Sequence, residues 1–266
     1  MRKYLSIFKI SFQQEFVYRL NFIMWRIRNV IQILLIFFLW DSVFSEPGKV
    51  LFGYDRARII TYVFGLIFIR SVVLSIRSID VAGEISRGEF ANYLIKPVSY
   101  FKYWFTRDLS SKALNILFAI FEFSLLFIIL KPSFFMQTNL IYVIFFLLSL
   151  VIAILIYFLL VLLFSSFPFW YPEQAWGSIF LLFIFTEFLG GGMFPLDILP
   201  KNIQNILSFT PFPHLLFSPI QIYLGKLELG GSLKALSLSM IWVIILAFFV
   251  NKLWERGLKN YKSEGK

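Results

Sequence analysis

Cysteine is absent from this 266-residue chain, which excludes disulfide bonds and thiolate metal sites. Histidine occurs once, as His214, so no His-based metal site can form, and we expect this side chain to make a local hydrogen bond. A phosphate-binding GxxxxGK[ST] loop is also missing, because the nearest spacing, Gly225 to Gly230, is followed by Gly231 and not by lysine. The sequence therefore predicts no catalytic site, no metal and no ATP hydrolysis by the chain itself.

Apolar residues are abundant instead: 59% of the chain is hydrophobic and only 15% is charged. A helix needs about 20 mostly apolar residues to cross a bilayer. Six stretches approach or exceed that length: Phe22 to Trp40, Ile59 to Ile76, Ala113 to Leu130, Leu140 to Phe164, Trp176 to Phe194 and Leu233 to Val250. The pattern predicts an all-α polytopic membrane protein, a single domain of six transmembrane helices over residues 1–266.

The chain has a formal net charge of +10, and we interpret its basic residues as a signal of membrane topology. Nucleic-acid binding requires a basic face on a soluble module, whereas here the basic residues are spread over the ends of loops, so no nucleic-acid partner is expected. Most Lys and Arg fall in residues 1–28, 77–112 and 251–266. The positive-inside rule therefore places both termini in the cytoplasm.

The N-terminal residues 1–21 contain Leu5, Phe8, Phe12 and Phe16 at helical spacing among basic residues. This stripe predicts a helix lying along the cytoplasmic membrane surface. The alternative is a first transmembrane helix that begins early and lets its arginines snorkel.

The longest polar stretch, residues 77–112, mixes charged residues with Ile85, Phe90 and Leu94. It predicts a short amphipathic helix that ends before Pro97, because proline disfavours helical geometry in the residue before it. Such a helix either docks in a groove of another protein or is a solvated loop held by lipid head groups.

Residues 190–232, between the fifth and sixth apolar stretches, are interrupted by glycine and proline. The apolar run Leu215 to Leu224 is too short to cross a bilayer, so we expect a re-entrant or interfacial external segment. Broken backbone at membrane depth must be buried in protein or line a cavity. The segment is therefore an outer gate or substrate exit, or else a hydrophobic external cap.

Arg70, Glu122 and Glu187 lie inside predicted spans, each roughly 14 to 18 Å from the nearest helix end at about 1.5 Å per residue. Charges at that depth face a bundle interior or a water-filled path. Pairing of Arg70 with one glutamate would serve either packing or a polar translocation route, unless the span boundaries instead place these groups at an interface.

Three motifs occur in order along the chain: ISRGEFANYLIKPVSYF at Ile85 to Phe101, GGMFPLDILPKNIQNILSFTPFPHLLFSPIQIYLGK at Gly191 to Lys226, and WERGLKNYKSEG at Trp254 to Gly265. They are similar to the I-x-x-G-E…L-x-x-P coupling segment, the external re-entrant segment and the C-terminal W-x-x-G-L-x-x-Y signature of one family. Over nearly its whole length the chain resembles the type-2 ABC exporter permeases, in the branch of bacterial permease subunits that accompany a separate ATPase.

The resemblance implies a half-transporter in the bacterial inner membrane: two permease subunits, identical or sister chains, with two ATPase subunits. ATP and Mg would bind the ATPase, and this chain would bind no cofactor. The implied ATPase-coupling residues are Glu84, Arg87, Gly88, Glu89, Leu94 and Pro97. The implied external gate consists of Gly191, Phe194, Pro195, Pro211, Phe212, Pro213 and His214.

We therefore expect the membrane subunit of an ATP-driven exporter that moves an amphipathic drug, lipid or peptide outward. The alternative is an ion-coupled secondary transporter with Glu122 or Glu187 as the proton-relay carboxylate. A membrane-embedded enzyme or scaffold is disfavoured by the missing catalytic cluster.

Overall fold

The computed structural model describes residues 2–17, 19–46 and 48–261. Within these ranges the chain is helical, and the only β pairing is an isolated antiparallel bridge between Leu51 and Tyr54. The α-helices are α1 (Arg2–Val17), α2 (Arg19–Val43), α3 (Arg56–Ile69), α4 (Asp80–Ser86), α5 (Ala91–Leu94), α6 (Tyr100–Leu130), α7 (Leu140–Phe164), α8 (Ala175–Leu189), α9 (Lys201–Ser208), α10 (Phe217–Tyr223) and α11 (Leu229–Asn260). A π-helical stretch, Arg70–Leu74, continues α3, and short 3-10 turns occupy Phe167–Phe169, Pro172–Gln174, Leu196–Ile198 and Phe212–His214.

Five helical stretches among the described residues are long and apolar enough to cross a membrane: Phe22–Val43, Arg56–Leu74, Tyr100–Leu130, Leu140–Phe169 and Leu229–Asn260. They overlap predicted spans one to four and six. The prediction of an all-α polytopic membrane protein is therefore confirmed.

The fifth predicted span differs from the expectation. Helix α8 has 15 residues and is about 22 Å long at 1.5 Å per residue, shorter than the roughly 30 Å hydrocarbon core of a bilayer. It ends at Leu189 and not at Phe194, because the chain turns at Gly191 with a φ of +82°, a conformation that favours glycine. Helix length thus supports five of the six predicted spans, and the fifth predicted span stays a prediction.

The connections between helices lie at two ends of the molecule, which we call the near end, around Ser86 and Pro172, and the far end, around Phe52 and Tyr223. At the near end, Ser86 Oγ donates to the Pro172 carbonyl at 2.7 Å, which joins the segment after α3 to the α7–α8 connection. At the far end, Lys226 Nζ donates to the Phe52 carbonyl at 3.1 Å and Gln137 Nε2 to the Tyr223 carbonyl at 2.8 Å. Helix α8 leads from the near end to the far end despite its short length.

Helices α3 and α7 form the interior, where α7 packs on α10, α11 and the π-helical stretch. Helix α7 is almost wholly apolar and begins after Asn139, whose side chain accepts a hydrogen bond from Ile141 N at 3.0 Å. Helices α2, α6 and α11 leave most of their apolar surface exposed. That exposure suits a hydrocarbon surround, since a soluble protein rarely leaves so large an apolar patch uncovered.

Helix α1 lies within the predicted interfacial segment 1–21, in which Met1 and Tyr18 fall outside the described residues. It packs on α6 and buries Ser11 and Glu15. Leu5 and Phe16 of the predicted apolar stripe are exposed. Phe8 and Phe12 are half-buried, so part of the stripe faces away from the bundle, and a position along the membrane surface stays a prediction.

Candidate functional site

The predicted coupling segment at the near end folds as α4 and α5, joined by a turn in which Gly88 has a φ of +76°. Its outer surface carries an exposed ion pair, with Arg87 Nε 2.8 Å from Glu89 Oε1. Leu94 and Pro97 are exposed as well. Helix α5 ends at Leu94, before the proline, as the sequence predicted. Two short helices therefore replace the one that was expected, because Gly88 breaks the run.

Glu84 and Gly88 lie on the inner side of this segment and are buried. The Glu84 carboxylate accepts hydrogen bonds from the hydroxyls of Tyr93 at 3.0 Å and Tyr100 at 2.9 Å. Burial raises the pKa of Glu84. The predicted coupling residues thus divide into an exposed set, Arg87, Glu89, Leu94 and Pro97, and a buried set that supports the turn.

Two α6 residues that the sequence analysis did not single out hold the base of the coupling segment, by which we mean its first residues, Arg77 and Ser78. The buried Asp108 carboxylate accepts hydrogen bonds from Arg77 N at 2.6 Å, Ser78 N at 2.8 Å and Ser78 Oγ at 2.7 Å. One turn later, Lys112 Nζ donates to the carbonyls of Val73 at 2.9 Å and Ser75 at 2.8 Å. The i, i+4 acidic and basic spacing was the available signal. We call Asp108 and Lys112 the α6 joint.

Helix α1 reaches the same base through an ion pair. Arg77 Nε lies 2.6 Å from Glu15 Oε1, and the Glu15 side chain is almost fully buried. A partly buried bidentate pair of this kind fixes orientation as well as distance. Helix α1, the base of the coupling segment and α6 are therefore connected.

Arg70 pairs with Glu187 and not with Glu122. Its Nη2 lies 2.7 Å from Glu187 Oε2 and 2.7 Å from the Gly192 carbonyl oxygen. Arg70 is also the first residue of the π-helical stretch, a local geometry that often occurs at functional positions. The interaction ties α3 to the far end of α8 and to the glycine turn that follows.

Glu122 pairs with Arg26 of α2, which sequence reasoning overlooked. Arg26 Nε donates to Glu122 Oε1 at 2.7 Å, and Arg26 Nη1 donates to Ser71 Oγ and Asn115 Oδ1, each at 3.2 Å. A cleft of about 230 Å³ opens beside this pair. Its other lining residues are apolar and come from α2 and α6: Phe22, Ile23, Ile27, Val30, Ile31 and Phe118.

The predicted gate residues occupy a folded segment of short helices at the far end. Its glycine turn is held by Tyr62, whose hydroxyl donates to the Gly191 carbonyl at 2.6 Å. Phe194 and Phe212 are half-buried, whereas five other residues of the set are buried: Gly191, Pro195, Pro211, Pro213 and His214. His214 Nδ1 lies 3.3 Å from Ser218 Oγ, which agrees with the predicted local hydrogen bond.

A polar network fastens this segment to the loop after α2. Asp197 accepts hydrogen bonds from the Tyr54 hydroxyl at 3.0 Å and from Lys226 Nζ at 2.6 Å. The Lys226 ammonium also lies 3.2 Å from the centroid of the Tyr54 ring, and Gln221 donates to the Tyr54 hydroxyl. No group of three or more potential metal ligands occurs within the described part of the chain.

Comparison with known proteins bears on what this arrangement does. A family model described as "ABC-2 family transporter protein" matches residues 30–265, which covers all six predicted spans except the start of the first. A search of curated proteins found no match. Because the family match extends over most of the chain, which is helical and membrane-spanning as that family requires, the chain belongs to the ABC-2 transporter family, as a membrane permease subunit of an ABC transporter.

Proposed function

We propose that this chain is the permease half of an ATP-driven exporter that moves an amphipathic substrate outward. The observation that carries the proposal is the family match over residues 30–265, since family membership implies an ABC transporter with an ATPase partner. ATP and Mg bind that partner in this proposal, and the present chain supplies the pathway. The outward direction rests on the resemblance to exporter permeases.

The proposed topology has six crossings and cytoplasmic termini, with α8 and the glycine turn together forming the fifth pass. The alternation of connections between the near and far ends supports it, as does the Lys and Arg content of residues 77–112 and 251–266. In this arrangement the near end is cytoplasmic, the far end is external, and α1 lies on the cytoplasmic leaflet.

The exposed set of coupling residues, Arg87, Glu89, Leu94 and Pro97, forms the proposed docking surface for the ATPase. Ile95 belongs with them, because it is 85% exposed between Leu94 and Pro97. An exposed apolar tip beside a charged pair suits insertion into a groove of a protein partner. Glu84 and Gly88 then act from inside, by keeping the tip in shape.

The segment 190–232 is the proposed external gate, dipping into the outer leaflet. Its many short helices, its hydrogen bonds to Tyr62 and Arg70, and its buried prolines support a position at membrane depth, since broken backbone there must be satisfied by protein. A second permease subunit, identical or a sister chain, completes the pathway. The apolar cleft beside Arg26 and Glu122 suits one part of an amphipathic ligand.

The secondary-transporter alternative is not favoured. The family match over residues 30–265 indicates an ABC transporter membrane subunit instead, and in the structure Glu122 pairs with Arg26 and Glu187 pairs with Arg70.

Affinity purification from native membranes tests the proposal. The tagged wild-type chain should co-purify a subunit that contains the GxxxxGK[ST] loop, and Glu89→Lys should reduce its recovery by about five- to tenfold, as expected for breaking a charged contact at an interface. The matched control is Glu255→Lys, an equal charge reversal at another exposed position near the same end, which should leave recovery unchanged. Transport that persists without any ATPase and stops when the proton gradient is dissipated would contradict the proposal.

A further inference from the structure

Residues at the end of α11 contact the inner side of the coupling segment. Trp254, Gly257 and Tyr261 are the W, G and Y of the C-terminal signature. Trp254 and Gly257 lie on one side of the last turns of α11, because they are three residues apart, and Tyr261 directly follows the helix. We call these three residues the C-terminal clamp. Trp254 and Tyr261 contact the coupling segment directly, and Gly257 contacts Phe169, which packs against that segment.

Phe90 is the side chain that the clamp surrounds. It directly follows the exposed Glu89, yet only 3% of its surface is exposed. Four aromatic rings approach it within 6.0 Å, centroid to centroid: Tyr100 at 4.7 Å, Tyr261 at 5.5 Å, Trp254 at 5.7 Å and Phe169 at 6.0 Å. All four meet it edge to face, the favourable arrangement for aromatic pairs. Phe90 is therefore a buried anchor inside an otherwise exposed segment.

Trp254 fastens this anchor to a second helix. Its indole Nε1–H donates to the Leu162 carbonyl at 3.1 Å, near the end of α7, where the last carbonyls have no partner within the helix. The indole ring contacts Phe90 at the same time. One side chain of α11 thus connects the coupling segment with α7, the helix at the centre of the bundle.

Gly257 and Tyr261 complete the contact. A Cβ atom on Gly257 would lie 2.3 Å from Phe169 Cδ2, so only glycine lets this ring pack against α11. The Tyr261 hydroxyl accepts a hydrogen bond from Ala91 N at 3.2 Å. Ala91 begins α5, and its N–H also donates to the Gly88 carbonyl at 3.4 Å, so the Tyr261 hydroxyl is a second acceptor that ties the end of the chain to the start of this coupling helix.

Resting on the proposed docking of the coupling segment to an ATPase, we propose that the C-terminal clamp transmits displacement of that segment to α7 and α11. Trp254, Gly257 and Tyr261 are then positioning residues for coupling. They contact Phe90, Ala91 and Phe169, whereas the docking surface consists of Arg87, Glu89, Leu94, Ile95 and Pro97. Because close-packed groups transmit displacement, the clamp carries movement without contributing to ATPase affinity. Docking and transmission should therefore be separable by mutation.

The test uses the complex with its co-purified ATPase in liposomes and one cysteine, Phe194→Cys, in the naturally cysteine-free chain. A membrane-impermeant maleimide reports external access to this position with and without ATP and vanadate. Trp254→Ala should keep the ATPase dissociation constant and reduce the nucleotide-dependent change in labelling rate about fivefold, within the usual range for a coupling residue. Trp254→Phe should recover part of the response, because a ring remains against Phe90.

Tyr261→Phe is the control for a folding defect, since it keeps the ring and removes only the hydroxyl that accepts a hydrogen bond from Ala91 N. It should lower the nucleotide response with an unchanged melting temperature. Leu258→Ala, on an exposed position of the same helical turn, should change neither binding nor response. A full response in both Trp254→Ala and Tyr261→Phe overturns the proposal. Loss of ATPase binding in Tyr261→Phe also overturns it, by making the clamp part of the docking surface.

Failure of the underlying function gives a different result. A wild-type chain that binds no ATPase, or whose labelling ignores nucleotide, refutes the exporter proposal and the clamp with it. A clamp-specific failure instead leaves the wild-type response intact and appears only in the variants.

Discussion

Two arginines inside predicted spans, Arg70 and Arg26, each form an ion pair with a glutamate. Arg70 holds Glu187, and Arg26 holds Glu122. Position within the predicted spans identified three of these four residues, because charges in a bilayer are rare. The sequence left both glutamates open as partners of Arg70, since depth along a helix does not determine which neighbours face each other. Arg26 was missed because it was counted with the basic residues of the cytoplasmic side.

The Arg70 pair gives a stability prediction. Arg70→Ala should lower the free energy of unfolding in detergent by about 3 to 5 kcal/mol, because it leaves Glu187 partly buried without its cationic partner. Adding Glu187→Gln should recover part of that loss by removing the unpaired charge. Circular dichroism during thermal unfolding measures both effects.

A surface ion pair supplies the control. Arg56 pairs with Asp41 at 2.8 Å, but about half of its side chain is exposed, so Arg56→Ala should cost no more than about 1 kcal/mol. An Arg70→Ala protein that melts with the wild type would show that the buried pair contributes little to stability.

At the scale of the elements, hydropathy predicted the long helices and proline predicted the end of α5. Neither signal predicted where a helix continues into polar residues or where the backbone turns. Helix α6 begins at Tyr100 and not at Ala113, because residues 100–112 are too polar for a span yet pack against α1 as a helix. Helix α8 stops at Leu189 because a glycine turn is pinned by Tyr62 and Arg70. These tertiary contacts involve residues far apart in the chain, so no local pattern records them.

The glycine turn can be tested with a matched pair of substitutions. Gly191→Ala should destabilise the protein by about 1 to 3 kcal/mol, since it strains a positive φ, and its Cβ would lie 2.8 Å from the Tyr62 hydroxyl oxygen. Gly230→Ala meets no atom within 4 Å and should be neutral or slightly stabilising, because alanine favours the helix in which it lies. Equal melting temperatures for the two variants would remove the turn's structural role.

At the scale of the whole molecule, the two predicted functional segments lie at opposite ends of the bundle. The near end joins the coupling segment to α1, α6 and α11 through Glu15, the α6 joint and the C-terminal clamp. The far end joins the predicted gate segment to the loop after α2 through Tyr54, Asp197 and Lys226. Tyr62 and Arg70 lie on the span Arg56–Leu74, which runs from the far end to the near end. Both side chains donate to carbonyls of the glycine turn at the far end. In the proposed function, these packed and hydrogen-bonded contacts offer a connection between the ATPase-docking segment and the gate segment.

The most direct test of the account is a photo-crosslink from the tip of the coupling segment. Since the chain contains no cysteine, Ile95→Cys offers one highly exposed thiol for a benzophenone maleimide. In native membranes, light should join this position to an ATPase that contains the GxxxxGK[ST] loop. Phe209→Cys, at a position that is 75% exposed at the far end, should give no such adduct. Crosslinks from Ile95→Cys to lipid alone, or an ATPase adduct formed from Phe209→Cys, would contradict the account.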